Sequence, residues 1–242
     1  MKPANTKITN YDKYKIQFSD FEIIEQIDSG GFGIVQLVKY KKSQHLYAAK
    51  IIKLQNDKDY FNRIMDREIG IMISSHHPTI IKFYGFSLSE SNGEKSIILI
   101  MQYHKNGSLK KYLQNCSNQN TIEYSNTSRQ IILIGIARGM MYLHQKQIIH
   151  RDLKPGNILL DNKYHPIITD FGLSKMYDIN DSKSPSICNG TYAYMAPEVI
   201  EGIENKEKAD VYSFAIIMYE IVTGLKPYPE LSNNQITPYK FL

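Results

Sequence analysis

The stretch His150-Arg151-Asp152-Leu153-Lys154-Pro155-Gly156-Asn157, set between the apolar runs Ile148-Ile149 and Ile158-Leu159-Leu160, decides how this chain is to be read. Charged and polar residues this dense between two apolar segments mark a loop held by rigid flanks, the usual setting for binding and catalysis. Asp152 can accept a proton from a hydroxyl, Lys154 can neutralise phosphate, and Asn157 can offer an amide oxygen to a hard cation. Asp170-Phe171-Gly172 stands thirteen residues after Asn157, directly behind the apolar Pro166-Ile167-Ile168-Thr169. The turn residues Asp161-Asn162 between the two runs predict a hairpin. Such a hairpin would return Asp170 beside Asn157, so that carboxylate and amide oxygens converge as magnesium requires.

Upstream, Lys50 sits inside the apolar strand pattern Leu46-Tyr47-Ala48-Ala49-Lys50-Ile51-Ile52. A lone ammonium there would be costly to bury without a partner. Residues 57 to about 75 have helical spacing, and Phe61, Ile64, Met65, Glu68 and Met72 fall on one face, so Glu68 can meet Lys50. A purely structural ion pair, or a lysine that snorkels to water, is the plainer alternative. The glycine cluster Asp28-Ser29-Gly30-Gly31-Phe32-Gly33 would let backbone N–H groups approach phosphate oxygens. A glycine-rich turn is also commonly structural. The β-branched Ile34 and Val35 continue a strand, which argues against a dinucleotide fingerprint, and no Walker A string occurs.

Around these motifs the 242 residues read as a β-rich half with one helix followed by a helical half. Residues 1–20 are polar and unpatterned, a flexible or loosely docked lead-in. Strands are expected between Phe21 and Leu54, over 80–84 and over 96–102. Helices are expected over 108–113 and 128–145, joined by a polar connection over 115–127. A further helix over 210–222 is apolar almost all round and should be buried on every side. One ligand site between a β-rich and a helical lobe is the arrangement such a pattern suggests.

Hydrophobic content of 42% and charged content of 22% are ordinary for a soluble domain. The net charge of +5 is mild and scattered, unlike the basic stripe of a nucleic-acid binder. Two cysteines, Cys116 and Cys188, show no metal spacing and favour free thiols in a reducing compartment. No run of about 18 apolar residues and no secretory leader is present, so the expected location is cytoplasmic, the nucleus remaining open, without membrane insertion.

In order along residues 21 to about 230, the chain resembles the eukaryotic protein kinase family: Gly30/Gly33 with Val35, Ala48-Ala49-Lys50, Glu68, His150-Arg151-Asp152 through Asn157, Asp170-Phe171-Gly172, Ala196-Pro197-Glu198 and Asp210. The resemblance implies an α+β bilobal protein kinase fold, with an N-lobe over about 21–103 and a C-lobe over about 104–242 that lacks its last helices. It implies that ATP and Mg2+ are bound. Lys50, positioned by Glu68, would hold the phosphates, Asn157 and Asp170 the metal, and Asp152 the substrate hydroxyl, with Lys154 beside it. Ile27, Gly30, Gly33, Val35, Ala48, Met101 as gatekeeper, Gln102, His104 and Leu159 would line the nucleotide. Lys154 matches serine/threonine kinases, and Gly190–Glu198 with Asp210–Phe214 resemble the tyrosine-kinase-like group. The implied partners are a protein substrate with a Ser or Thr acceptor and an upstream activating kinase. Arg151 beside Asp152 implies a phosphorylated activation loop, with Ser182, Ser184 and Ser186 as candidates.

Two departures stand out. Asp28 occupies the first glycine position, which should weaken ATP binding modestly. The chain also ends at Leu242, before the helices that supply a partner for Glu198, which should lower stability and activity. The alternative reading is therefore a pseudokinase-like nucleotide-binding or scaffold module.

Overall fold

The computed structural model describes residues 11–30, 33–54, 61–62, 64–91, 94–118, 125–172, 174–176, 192–203 and 207–228. The chain divides into two compact units, Met1–Ile73 with Lys82–Tyr103, and Ser74–Ile81 with His104–Leu242.

The first unit is one antiparallel sheet of five strands in the order β1-β2-β3-β5-β4. They are β1 (Phe21–Gly30), β2 (Gly33–Tyr40), β3 (Leu46–Lys53), β4 (Phe83–Ser91) and β5 (Glu94–Gln102). Between β3 and β4 a π-helical turn, Met65–Ile69, runs into helix α1 (Gly70–Ser74). Directly opposed residues on neighbouring strands share a face of the sheet. Val35, Lys50 and Leu99 form one such row, and Leu37, Ala48 and Met101 the next, all on one face. The other face carries the buried cluster Val38, Ala49, Ile98 and Ile100. At the β1–β2 turn Gly33 has φ of 122°, where any side chain is strained, and a Cβ there would run into the Ile51 carbonyl oxygen.

From Tyr11 on, the expected loose lead-in is built into this unit. Ile16, Phe18 and Phe21 pack over the cluster of Val38, Ala49, Ile98 and Ile100, and the Ile16 N–H donates to the Phe86 carbonyl at 2.9 Å. Its polar composition hid the few apolar residues that do this. The strand expected over 80–84 begins at Phe83 and continues to Ser91. Ile80 and Ile81 belong instead to the second unit, where the Ile81 N–H donates to the Ile168 carbonyl at 2.9 Å.

The second unit contains α2 (Leu109–Asn118), α3 (Asn126–Gln145), the short strands β6 (Ile148–Ile149), β7 (Ile158–Leu160), β8 (Pro166–Ile168) and β9 (Lys175–Met176), then α4 (Pro197–Ile200) and α5 (Glu207–Thr223). The helix expected to stop at Leu113 runs on through Asn118, so the polar connection begins later than its composition suggests. Ser125 caps α3, its hydroxyl accepting the Ser128 N–H at 3.1 Å, and this sets the start two residues ahead of the expected one. β7 and β8 form the predicted hairpin. Its loop is longer than two residues because Asp161 organises it, accepting the N–H groups of Lys163 and His165 at 2.8 Å each. β6 pairs with β9, a ladder too short to leave a pattern in the sequence.

Helix α5 corrects one expectation. Ala209, Asp210, Ser213, Ile217, Glu220 and Ile221 are buried, whereas Val211, Met218, Tyr219 and Val222 are exposed among the described residues. The helix is apolar all round but buried on one side only. Among the described residues no helix is long and apolar enough to cross a membrane.

Candidate active site

In the first unit the strand alternation decides what meets Lys50. Its side chain leaves β3 on the face that also carries Val35, Leu37, Ala48, Leu99 and Met101. There the ammonium donates to Glu68 Oε1 at 2.7 Å, and both side chains are less than a tenth exposed. A buried pair of this kind is held together by mutual need, since removal of either charge strands the other. Glu68 lies in the π-turn, a helical irregularity that often accompanies function. Val35, Ala48 and Met101, three of the residues expected around a nucleotide base, are thus gathered on the face from which Lys50 projects. Ile27 lies at an irregularity of β1, between Gln26 and Asp28, and Gly30 opposes Gly33. Asp28 accepts the N–H of Ser29 at 2.8 Å with its own carboxylate.

Two backbone groups at and just beyond the end of β5 are committed. Gln102 donates its N–H to Lys82 at 2.9 Å, and His104 accepts the Gly107 N–H at 3.1 Å. The Gln102 carbonyl and the His104 N–H take no part in these two bonds. The His104 side chain, in the second unit, is buried, and its Nε2 finds no hydrogen-bond partner among the described residues. Burial lowers its pKa below the ordinary 6.5, while the Asp161 carboxylate pulls the other way. A histidine whose folded pKa is lowered binds fewer protons folded than unfolded. Stability is therefore complete above about pH 6.5 and falls as pH drops through that value towards the folded pKa. Urea titrations between about pH 7.5 and 5.5 should show wild type losing more stability than His104→Gln. Equal slopes would count against the buried neutral imidazole.

The polar loop of the second unit is held by hydrogen bonds from several elements. Asp210, 1% exposed at the start of α5, accepts the backbone N–H groups of His150 at 2.8 Å and Arg151 at 2.9 Å, and its Oδ2 meets His144 Nε2 at 2.9 Å. This grip holds Arg151 at φ of 68°, an uncommon conformation for a residue with a Cβ. The His150 ring receives the Asp152 N–H on Nδ1 at 3.3 Å and donates from Nε2 to the Thr169 carbonyl at 3.0 Å. It also lies against the buried Phe171 ring, centroids 5.4 Å apart. Ser174 donates its hydroxyl to the His150 carbonyl at 3.0 Å.

Asp152 Oδ2 receives Lys154 Nζ at 2.6 Å and Asn157 Nδ2 at 2.8 Å. The same Asn157 amide donates to the Asp152 carbonyl, also at 2.8 Å. Asp152 Oδ1 is buried and finds no hydrogen-bond donor among the described residues. Buried acceptors are rarely left this way. The hairpin register pairs Ile158 with Ile168, and the Thr169 N–H donates to the Asn157 carbonyl at 3.0 Å, so Asp170 follows at the same end as Asn157. Asp170 has φ of 67°, a conformation aspartate tolerates better than most residues. Leu159 lies on β7 opposite Ile167 and is half-buried, unlike its neighbours Ile158 and Leu160.

Magnesium fits this donor set. The Asn157 NH2 group is committed to Asp152, which leaves the amide oxygen for a cation, and Asp170 would add a carboxylate. Magnesium is commonly held by one or two carboxylates together with substrate phosphates rather than by a full protein cage.

Two residues take roles that the motifs do not specify. Asp210 is one motif residue among several, although an acid set among the apolar residues of a helix needs partners once buried, which is the available signal. The other is Tyr194, whose hydroxyl donates to the buried Glu220 at 2.9 Å. Burial pushes the Glu220 carboxyl up, opposed by the Tyr194 bond and by Lys226 and Lys110. Ser182, Ser184, Ser186 and Cys188 lie outside the described residues.

The pattern that defines the protein kinase domain matches residues 21–240. This chain therefore belongs to the protein kinase domain family, and its relatives include serine/threonine kinases. A probable serine/threonine-protein kinase kinX of Dictyostelium discoideum is 34% identical over 236 residues, covering 95% of this chain and 20% of that protein. Aurora kinase of Candida glabrata is 35% identical over 228 residues, 93% of this chain and 60% of the relative. Mitogen-activated protein kinase kinase 1 of Arabidopsis thaliana is 35% identical over 215 residues, 88% and 58% respectively. The chain thus spans between a fifth and three-fifths of these relatives.

Proposed function

We propose that this chain transfers the γ-phosphoryl group of ATP to a serine or threonine hydroxyl of a protein, as part of signalling. The observation that carries the reading is Asp152 Oδ1, a buried carboxylate oxygen with no donor among the described residues, beside an Oδ2 that receives two. A substrate hydroxyl would be that donor. Its oxygen attacks the γ-phosphorus, the bond to the β–γ bridging oxygen breaks with ADP as leaving group, and the hydroxyl proton passes to Asp152. Lys154, bound to the other Asp152 oxygen, keeps the carboxylate oriented and brings positive charge to the transferring group. Lys50, braced by Glu68, would hold the α- and β-phosphates. Asn157 and Asp170 would hold magnesium, which when bound neutralises charge on the phosphates. Val35, Ala48, Met101 and Leu159 would take the base, with the Gln102 carbonyl and the His104 N–H for its polar edge.

Lys154 is the feature that supports an aliphatic over a phenolic acceptor. The test is transfer from γ-labelled ATP with magnesium to a basic protein mixture, followed by phosphoamino-acid analysis. Labelled serine or threonine is the expected product. Nucleotide binding without transfer would support the scaffold reading instead, and labelled tyrosine alone would overturn the acceptor class.

A further inference from the structure

We propose that residues 11–16 form a strap that positions the Glu68-bearing helix, with Tyr11 as the positioning residue. The inference rests on the reading above, in which the Lys50–Glu68 pair serves phosphoryl transfer. β4 is the last strand of its sheet, and an edge strand ordinarily needs cover. The strap supplies it. Lys15 bridges Phe86 in parallel, the Ile16 N–H donates to the Phe86 carbonyl at 2.9 Å, and the Tyr14 ring lies against Phe83 with centroids 6.1 Å apart. The approach is so close that position 85 has to be glycine. A Cβ there would lie 2.5 Å from the Tyr14 carbonyl oxygen and 2.9 Å from Ile16 Cγ2.

The other end of the strap reaches the helix. Tyr11–Tyr14 is a single 3-10 turn braced by Lys15 and Asp12 at 2.7 Å. A Cβ on Gly70 would lie 3.4 Å from the Tyr11 hydroxyl oxygen, so the phenol rests against that residue. Gly70 closes the π-turn, its N–H reaching back to Met65 and Arg67, and Glu68 stands two residues before it. π-turns are uncommon and persist where their surroundings hold them. The strap ties this one to the sheet edge. Loss of the Tyr11 phenol should loosen the turn that aims Glu68 at Lys50 while the sheet stays intact.

Hydrogen exchange and kinetics on the full chain test this with two variants that attack opposite ends, Tyr11→Ala and Gly85→Ala. In both, amides of 65–74 should exchange about ten-fold faster, with β2, β3 and β5 unchanged. Misplacement of this order should lower kcat about ten-fold or more with KM for the protein substrate unchanged. Wild-type exchange over 65–74 in the Tyr11 variant overturns the proposal, as does faster exchange spread evenly over the sheet, which would make the strap mere support. If wild type transfers no phosphate, the kinase reading fails, and the exchange of 65–74 still decides the strap.

Discussion

Asp152→Asn is expected to cut phosphoryl transfer by about a thousand-fold, the scale of a lost general base, while leaving the fold and nucleotide binding intact. The substitution is close to isosteric, and the local bonds predict which way the new amide turns. Lys154 Nζ and Asn157 Nδ2 both donate to Oδ2, so the asparagine oxygen must stay there. Its NH2 group then occupies the place of Oδ1, the oxygen that otherwise has no donor among the described residues. A donor stands where an acceptor is needed, and a substrate hydroxyl meets it without losing its proton. Labelled transfer measured beside a thermal shift with ATP and magnesium reads both halves of the expectation. Transfer within a few-fold of wild type would remove Asp152 from the chemistry.

The second large effect concerns stability. Asp210→Ala should cost about 3–5 kcal/mol, because a buried carboxylate with three partners is removed and its donors are left stranded. Those donors are the N–H groups of His150 and Arg151 and the His144 imidazole. Arg151 would also be released from its left-handed conformation, and the polar loop would lose its shape. Urea denaturation gives the size of the loss. A change below about 1 kcal/mol would mean that the loop is held chiefly by His150 and Ser174.

Much of this architecture was legible in the sequence because local rules and site chemistry agree. The run from His150 to Asn157 sits between apolar strands, and the hairpin that returns Asp170 follows from turn residues between two apolar runs. Lys50 and Glu68 could be paired on paper because a buried charge in a strand and one on a helix face each need the other. Other features depend on contacts that no local pattern encodes. Nothing in residues 11–16 announces an edge strand to cover, since Tyr11, Tyr14 and Ile16 stand among charged residues without a sustained period. The extension of α2 past Leu113 runs through Gln114, Asn115 and Ser117, which composition assigns to a loop. The one-sided burial of α5 is invisible to periodicity, because Val211 and Met218 on its open side are as apolar as Ile217 and Ile221 within. Asp210 was visible as a motif, but its function as an anchor appears only when three donors from other elements arrive.

The π-turn at Met65–Ile69 fixes more than the position of one carboxylate. A π-turn holds one residue more than the α-helical turn it replaces, so it takes in that residue while the segments on either side stay close to the phase of a continuous helix. Each residue of an α-helix advances the phase by about 100°. A one-residue deletion within 65–69 would therefore close the turn as ordinary helix with its flanks nearly in phase, but would re-aim the residues inside it, Glu68 among them. A one-residue insertion would rotate one flank against the other by about that angle. Length, and not only composition, is under constraint here: this stretch should tolerate many side-chain changes on its outer surface and scarcely any change in residue count.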